Sequence, residues 1–192
     1  MKHLEPNKIV FIGASTGGPG QIHIILEALE CLHNTTIVIA QHMAEEFLAS
    51  FVERITELYI SDVVLIKDGM QMQKNTIYVC RKSVVVTKKR GLLVFNETEY
   101  VKHSFNPDIN LLFNSIVENS NVKDLLGVLL TGIGDDGVKG CISLSEHGSK
   151  CITQTKESAI IDGMPGRARE FVPNIEVYNL KGIINTINEF SD

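Results

Sequence analysis

An α/β fold with a doubly wound, mainly parallel sheet, helices on both faces and a short antiparallel excursion is predicted for residues 1–192 by three observations. Continuously apolar runs, "IVFIG" (9–13), "TIVIA" (36–40) and "LLGVLL" (125–130), read as strands covered on both sides, since a half-exposed strand would alternate. Helical patterns alternate with these runs, the order that right-handed crossovers of a parallel sheet require. Turn clusters break up the remaining short β-rich runs, which are confined to residues 63–95.

The elements follow in order. After the first strand, "GQIHIILEALE" places Ile22, Ile25, Leu26 and Leu29 at i, i+3, i+4 and i+7, one face of a helix. After the second, "AEEFLASFVERITEL" lines Phe47, Phe51, Ile55 and Leu58 along one face. "VVLI", "TIYVC", "VVVT" and "LLVF", separated by "KDGM", "QKN" and "KKRG", predict meander or hairpin excursions near a sheet edge. "NPDINLLFNSI" predicts a helix with Asn106 as cap and Pro107 in its first turn. "LLGVLL" leads into "TGIGDDG" and a helix from about Val138. "KCITQT" (150–155) and "IEVYNL" (175–180) complete the sheet, and "GIINTINEF" closes as an amphipathic helix. With 44% hydrophobic residues and no repeat, linker or low-complexity tract, the chain reads as a single domain.

Composition narrows the function. Eighteen basic and 23 acidic residues give a formal charge of −5, and the densest basic cluster, Lys88, Lys89 and Arg90, reads as a solvated turn. Nucleic acid, which needs a concentrated positive face, is therefore not an expected partner. Cysteines 31, 80, 141 and 151 form no C-x-x-C pair and suggest reduced thiols rather than a zinc site or disulfide scaffold. "MKHLEPNK" lacks the apolar stretch of a signal peptide, and no apolar run approaches the ~20 residues of a membrane helix. A soluble, cytoplasmic protein without membrane insertion is expected.

Three polar motifs follow predicted strands, where parallel sheets gather ligands and catalytic groups. "GASTGG" follows the first, "QHM" (41–43) the second and "TGIGDDG" (131–137) a later one, bringing Ser15, His42 and Asp135 or Asp136 to one rim. These residue types suffice for acyl transfer: an imidazole takes the serine proton, and a carboxylate fixes the imidazole tautomer. Glycine-rich turns at helix starts add free N–H groups for an oxyanion. Each residue also has a plainer reading. Ser15 is equally a helix cap or phosphate contact, His42 a capping or surface residue, and Asp135 and Asp136 an N-cap and a first-turn acid. His23 lies beside the apolar face of its helix, and His3, His33, His103 and His147 have turn or terminal contexts. Phosphate fingerprints fail: no lysine follows Gly18 as a Walker loop needs, and Ser15 stands where a dinucleotide loop needs its second glycine. No metal or cofactor is expected.

Taken together, "GASTGGPGQ", "IAQHM", "F…SFVERI", "LLTGIGDDGVKG" and "TQTKESAIIDGMPGRA" resemble the catalytic domain of the chemotaxis receptor methylesterases, the CheB family, from about Lys8 to Ala168. The resemblance implies a serine hydrolase that removes methyl esters from glutamate side chains of chemoreceptors, and often deamidation of certain receptor glutamines. It places the nucleophile at Ser15, the base at His42 and the orienting carboxylate at Asp136, with Asp135 a helix-start acid. It implies oxyanion donors at the backbone N–H groups of His42 and Ile133, Thr16 and Gln41 lining the site, and "GMP" (163–165) shaping the rim, where Met164 is equally a packing residue. Two departures stand out. The family's receiver domain and linker precede its catalytic domain, whereas about seven residues precede the first strand here. Read as a natural start, that implies constitutive activity or control by another protein. "HSFNPDIN" also replaces the family's arginine-containing "RPS-x-D" stretch. Two other classes remain open: a non-catalytic module that binds methylated or acidic receptor helices in the same crevice, and a nucleotide-binding α/β enzyme.

Overall fold

The computed structural model describes residues 5–58, 62–99, 105–120, 122 and 124–192. Seven strands form one parallel sheet: β1 (Lys8–Ala14), β2 (Thr35–Gln41), β3 (Asp62–Leu65), β4 (Thr76–Val79), β7 (Asp124–Leu129), β8 (Lys150–Gln154) and β9 (Glu176–Tyr178). Their spatial order is β3-β4-β2-β1-β7-β8-β9, with every pairing parallel. Strands β5 (Val84–Lys89) and β6 (Leu92–Glu97) form a separate antiparallel hairpin.

Residues alternate between the faces of the sheet and feed two cores. Val10, Ile12 and Ala14 face α1 (Gly18–Glu27), α2 (Glu45–Thr56) and α6 (Leu180–Ser191). Ile9 and Phe11 face α3 (Ile109–Asn119), α4 (Val138–Glu146), α5 (Gly163–Phe171) and the hairpin. The hairpin is tied to α3 where Val86 N–H donates to Ser115 Oγ at 2.8 Å. The winding reverses at β1, with β2 on one side and β7 on the other. A crevice therefore opens beyond the carboxyl ends of β1 and β7.

Four details differ from the expectations. "VVLI" and "TIYVC" supply β3 and β4, parallel edge strands rather than hairpin arms, because residues 66–75 carry the chain back before the second run begins. An apolar run encodes burial, not direction. The cap of α3 is Asp108, whose carboxylate accepts from Leu111 N–H at 2.8 Å, whereas Asn106 Oδ1 accepts from Ser83 N–H and Pro107 precedes the cap. On α2 the buried residues are Leu48, Phe51 and Ile55, and Phe47 is 58% exposed. Helix α5 is not among the elements read from the sequence, and "GMPGRAREF" carries two glycines and a proline, which disfavour a helix. It is held by burial of Met164, Pro165 and Ala168, and by Arg169 gripping Asp162 through two contacts of 2.6 and 2.8 Å.

All four cysteines are free, with Cys31 exposed and the others buried. Burial pushes the Cys80 thiol far above the usual thiol range, so it stays protonated and inert. Among the described residues no helix is long and apolar enough to cross a membrane. His3 and His103 lie outside the described residues.

Candidate active site

Hydrogen bonds that extend the sheet ladders fix the three loops. Leu130 N–H donates to Gly13 O, and Ser15 N–H to Thr131 O, both at 2.9 Å, continuing the β1–β7 pairing into the site. On the other side His42 N–H donates to Ala14 O, also at 2.9 Å. Because Ala14 is in register with Gln41, Ser15 and His42 start from neighbouring positions on strands about 5 Å apart. That bond overturns one expectation: the N–H of His42 is spent in the ladder and is not an oxyanion donor.

Ser15 sits on a tight turn into α1, its carbonyl accepting from Gly18 N–H at 2.8 Å. Gly17 caps the helix at φ +83, a left-handed conformation suited to glycine, and no side chain caps α1. Ser15 is thus not a helix cap. Gln41 is buried at 2% exposure, and its Nε2 donates to Ser15 O (2.9 Å) and His42 O (2.8 Å). It braces the two loops from behind rather than lining the crevice.

His42 Nε2 lies 2.7 Å from Asp136 Oδ2. The Asp136 side chain is fully buried, and His42 is 14% exposed. The carboxylate also accepts from the backbone N–H groups of Ile109 (2.9 Å), Asn110 (3.1 Å) and Gly137 (2.9 Å). Two of these donors open α3, so the buried charge meets a helix N-terminus as well as the imidazole. With both carboxylate oxygens accepting, His42 Nε2 is the donor of the shared bond, and Nδ1 is the proton-accepting nitrogen. Among the described residues neither Ser15 Oγ nor His42 Nδ1 takes part in a hydrogen bond, so the two are not directly bonded in this geometry. Resting active sites often tighten such contacts only around substrate.

Asp136 therefore supplements the Asp108 cap at the N-terminus of α3 and does not cap α4, whose N-cap is Gly137 without a side-chain bond. Asp135 is exposed, and among the described residues only its backbone carbonyl is engaged, by Val138 N–H at 3.2 Å. Asp108, beside the pair, is held above the usual carboxyl range by burial and by the charge of Asp136.

Ile133 is 64% exposed at the crest of the 131–137 loop, and Thr16 is exposed on the facing loop. Among the described residues the N–H groups of both donate to no acceptor. Met164 is fully buried beneath this loop, its N–H donating to Gly132 O at 2.8 Å, so it packs under the rim. A Cβ at Gly132 would collide with Met164 Sδ and lie 2.6 Å from Ser15 Cβ. Gly132→Ala is therefore expected to displace the serine loop, lowering turnover at least tenfold and stability by about 1–3 kcal/mol. Steady-state kinetics and a thermal melt of the purified variant check both.

Two residues were not anticipated. Thr131 knots the loops together: its Oγ1 donates to Thr16 O (2.9 Å) and accepts from Ile161 N–H (2.8 Å), while its N–H donates to Gln154 Oε1 (2.8 Å). A polar residue directly after "LLGVLL" was the available signal. Phe105 stacks on the His42 ring, centroids 4.9 Å apart and planes 6° from parallel, a contact no sequence spacing announces. An open cavity of about 1130 Å³ runs away from the rim, sharing Phe105 and Gly134 with it and lined further by Val138, Ile142, Arg167 and Phe171. Among the described residues no group of three His, Cys, Asp or Glu side chains converges as metal ligands would.

Comparison with known proteins identifies the family. A family model described as CheB methylesterase matches residues 10–187. A Rhodopseudomonas palustris protein named protein-glutamate methylesterase/protein-glutamine glutaminase 2 is 31% identical over 161 residues, 82% of this chain and 44% of that protein. A Vibrio cholerae protein named protein-glutamate methylesterase/protein-glutamine glutaminase 3 is 30% identical over 174 residues, 89% of this chain and 49% of that protein. The chain thus spans about half the length of these relatives. The crystal structure of the Thermotoga maritima CheB methylesterase catalytic domain superposes with a TM-score of 0.87 at 26% identity, covering 95% of this chain and 97% of that one.

Proposed function

This chain belongs to the CheB methylesterase family, and from that premise we propose that it is a serine hydrolase removing methyl esters from glutamate side chains of chemoreceptors in the cytoplasm. The observation that carries the reading is the 2.7 Å contact between His42 and buried Asp136, at a strand end beside Ser15. Ser15 Oγ attacks the ester carbonyl while His42 Nδ1 takes its proton, and Asp136 stabilises the imidazolium through Nε2–H. The N–H groups of Ile133 and Thr16 face the developing oxyanion; Thr16, directly after the nucleophile, replaces the donor that His42 cannot supply. The tetrahedral adduct collapses, methoxide leaves with the proton from His42 as methanol, and a glutamyl ester remains on Ser15. Water, deprotonated by His42, then attacks that ester and releases the glutamate carboxyl and Ser15 hydroxyl.

Attack on a glutamine side chain by the same route would release ammonia, the second activity named for the relatives. The open cavity beside the rim suits a protein segment better than a small ester, which would call for an enclosed pocket.

The test is release of isotopically labelled methanol from chemoreceptor cytoplasmic fragments carrying labelled methyl esters. Catalytic release that scales with enzyme is expected. Saturable binding of methylated fragments with every label retained would instead identify a binding module, and a rise in melting temperature with ADP or NAD would favour a nucleotide enzyme.

A further inference from the structure

The geometry points to Phe105 as a positioning residue of the proposed reaction, one that sets the plane of the His42 imidazole by stacking on its face. The inference rests on Ser15 and His42 acting as proposed above.

A single methylene leaves an imidazole free to swivel about its two side-chain torsions, and χ2 of histidine is broad. The hydrogen bond to Asp136 pins one ring atom, Nε2, but a single bond leaves rotation about its own line. A second restraint must act on the face of the ring. Phe105 supplies it, lying 6° from parallel at 4.9 Å. Offset parallel stacking at that separation is attractive beyond simple burial.

The backbone that carries the phenyl ring is anchored. Ser83, only 7% exposed, holds the segment through three contacts. Its Oγ donates to Phe105 O at 3.3 Å, its N–H donates to Asn106 Oδ1 at 3.0 Å, and its Oγ accepts from Asp108 N–H at 2.8 Å. The same stretch continues into Ile109 and Asn110, whose N–H groups hold Asp136. One segment, 105–110, thus restrains the imidazole twice: Phe105 sets its face, and Ile109 and Asn110 hold the carboxylate that pins its edge. Phe105 remains 43% exposed, so burial in the core does not account for its place.

The test compares Phe105→Leu, Phe105→Ala and Phe105→Tyr in three measurements. The first is the rate at which a small fluorophosphonate modifies Ser15, which needs the serine–imidazole pair but no protein substrate. The second is the split of kcat and KM for methanol release. The third is the NMR shift of the His42 ring protons, which an aromatic ring stacked above them moves upfield. Phe105→Leu, which keeps apolar bulk but not the flat ring, should slow fluorophosphonate modification and lower kcat by about 3- to 10-fold, with KM within about twofold. The His42 ring protons should move downfield in Phe105→Leu and Phe105→Ala, and Phe105→Tyr should restore all three readouts. Wild-type modification rates in Phe105→Leu, or a rise in KM alone, would overturn the positioning role while leaving the serine mechanism standing. Folded wild-type protein that gives no adduct at Ser15 would overturn the mechanism itself, and the role of Phe105 with it.

Discussion

Alanine at Ser15 is expected to lower methanol release by about 10⁴- to 10⁶-fold, and adding His42→Ala to it should reduce the rate little further. In the proposed mechanism the two side chains perform one step, so removing either removes it whole. A factor of 10⁵ corresponds to about 7 kcal/mol of transition-state stabilisation, far more than any single packing contact could contribute. The residual rate would come from donors that both variants keep, the N–H groups of Thr16 and Ile133. The fold should survive either change, since Ser15 is held by its backbone bonds to Thr131, Gln41 and Gly18 rather than by its hydroxyl. Unchanged melting temperatures beside the lost rate would locate the defect in chemistry. Additive losses in the double variant would mean that the residues act in separate steps.

Asp136→Asn is the second large effect, expected to cost about 10⁴-fold in turnover. The buried carboxylate accepts from three backbone N–H groups and from His42. An amide has one oxygen to offer. With its oxygen in the Oδ1 place it keeps the N–H groups of Asn110 and Gly137 but presents its NH₂ to the imidazole, selecting the wrong tautomer, and to Ile109 N–H. Turned the other way, it keeps His42 and Ile109 and sets NH₂ against Asn110 and Gly137. Either arrangement leaves a buried donor unpaired, so stability should fall by about 1–3 kcal/mol as well. Asp135→Asn, on an exposed side chain with no bond in the site, should stay within about twofold of the parent rate. Parallel kinetics and thermal melts of the two variants separate the adjacent acids, and a reversed pattern would reassign the carboxylate.

Much of this arrangement is legible in the sequence. The apolar runs at 9–13, 36–40 and 125–130 are β1, β2 and β7, central strands whose burial on both faces makes them uniformly apolar, and the three polar loops follow their ends. Periodicity could not say which way a short edge strand runs, so β3 and β4 were expected as hairpin arms. Nor could local propensity find α5, whose glycines and proline are outweighed by burial of Met164 and Ala168 and by the Arg169–Asp162 pair. Residue chemistry alone left Asp135 and Asp136 equivalent, because what separates them is a distant helix: only Asp136 reaches the N–H groups that open α3. The His42 N–H failed as an oxyanion donor for a similar reason, its partner being the carbonyl of Ala14 on the adjacent strand. The stack of Phe105 on His42 is likewise tertiary, joining residues from two separate loops.

The most direct measurement is to quench the protein with acid during turnover of a methylated chemoreceptor fragment and map its peptides by mass. A glutamyl ester on the peptide containing Ser15, absent from Ser15→Ala, is the expected result. Undiminished methanol release from Ser15→Ala, or a covalent adduct on any other residue, would contradict nucleophilic attack by Ser15.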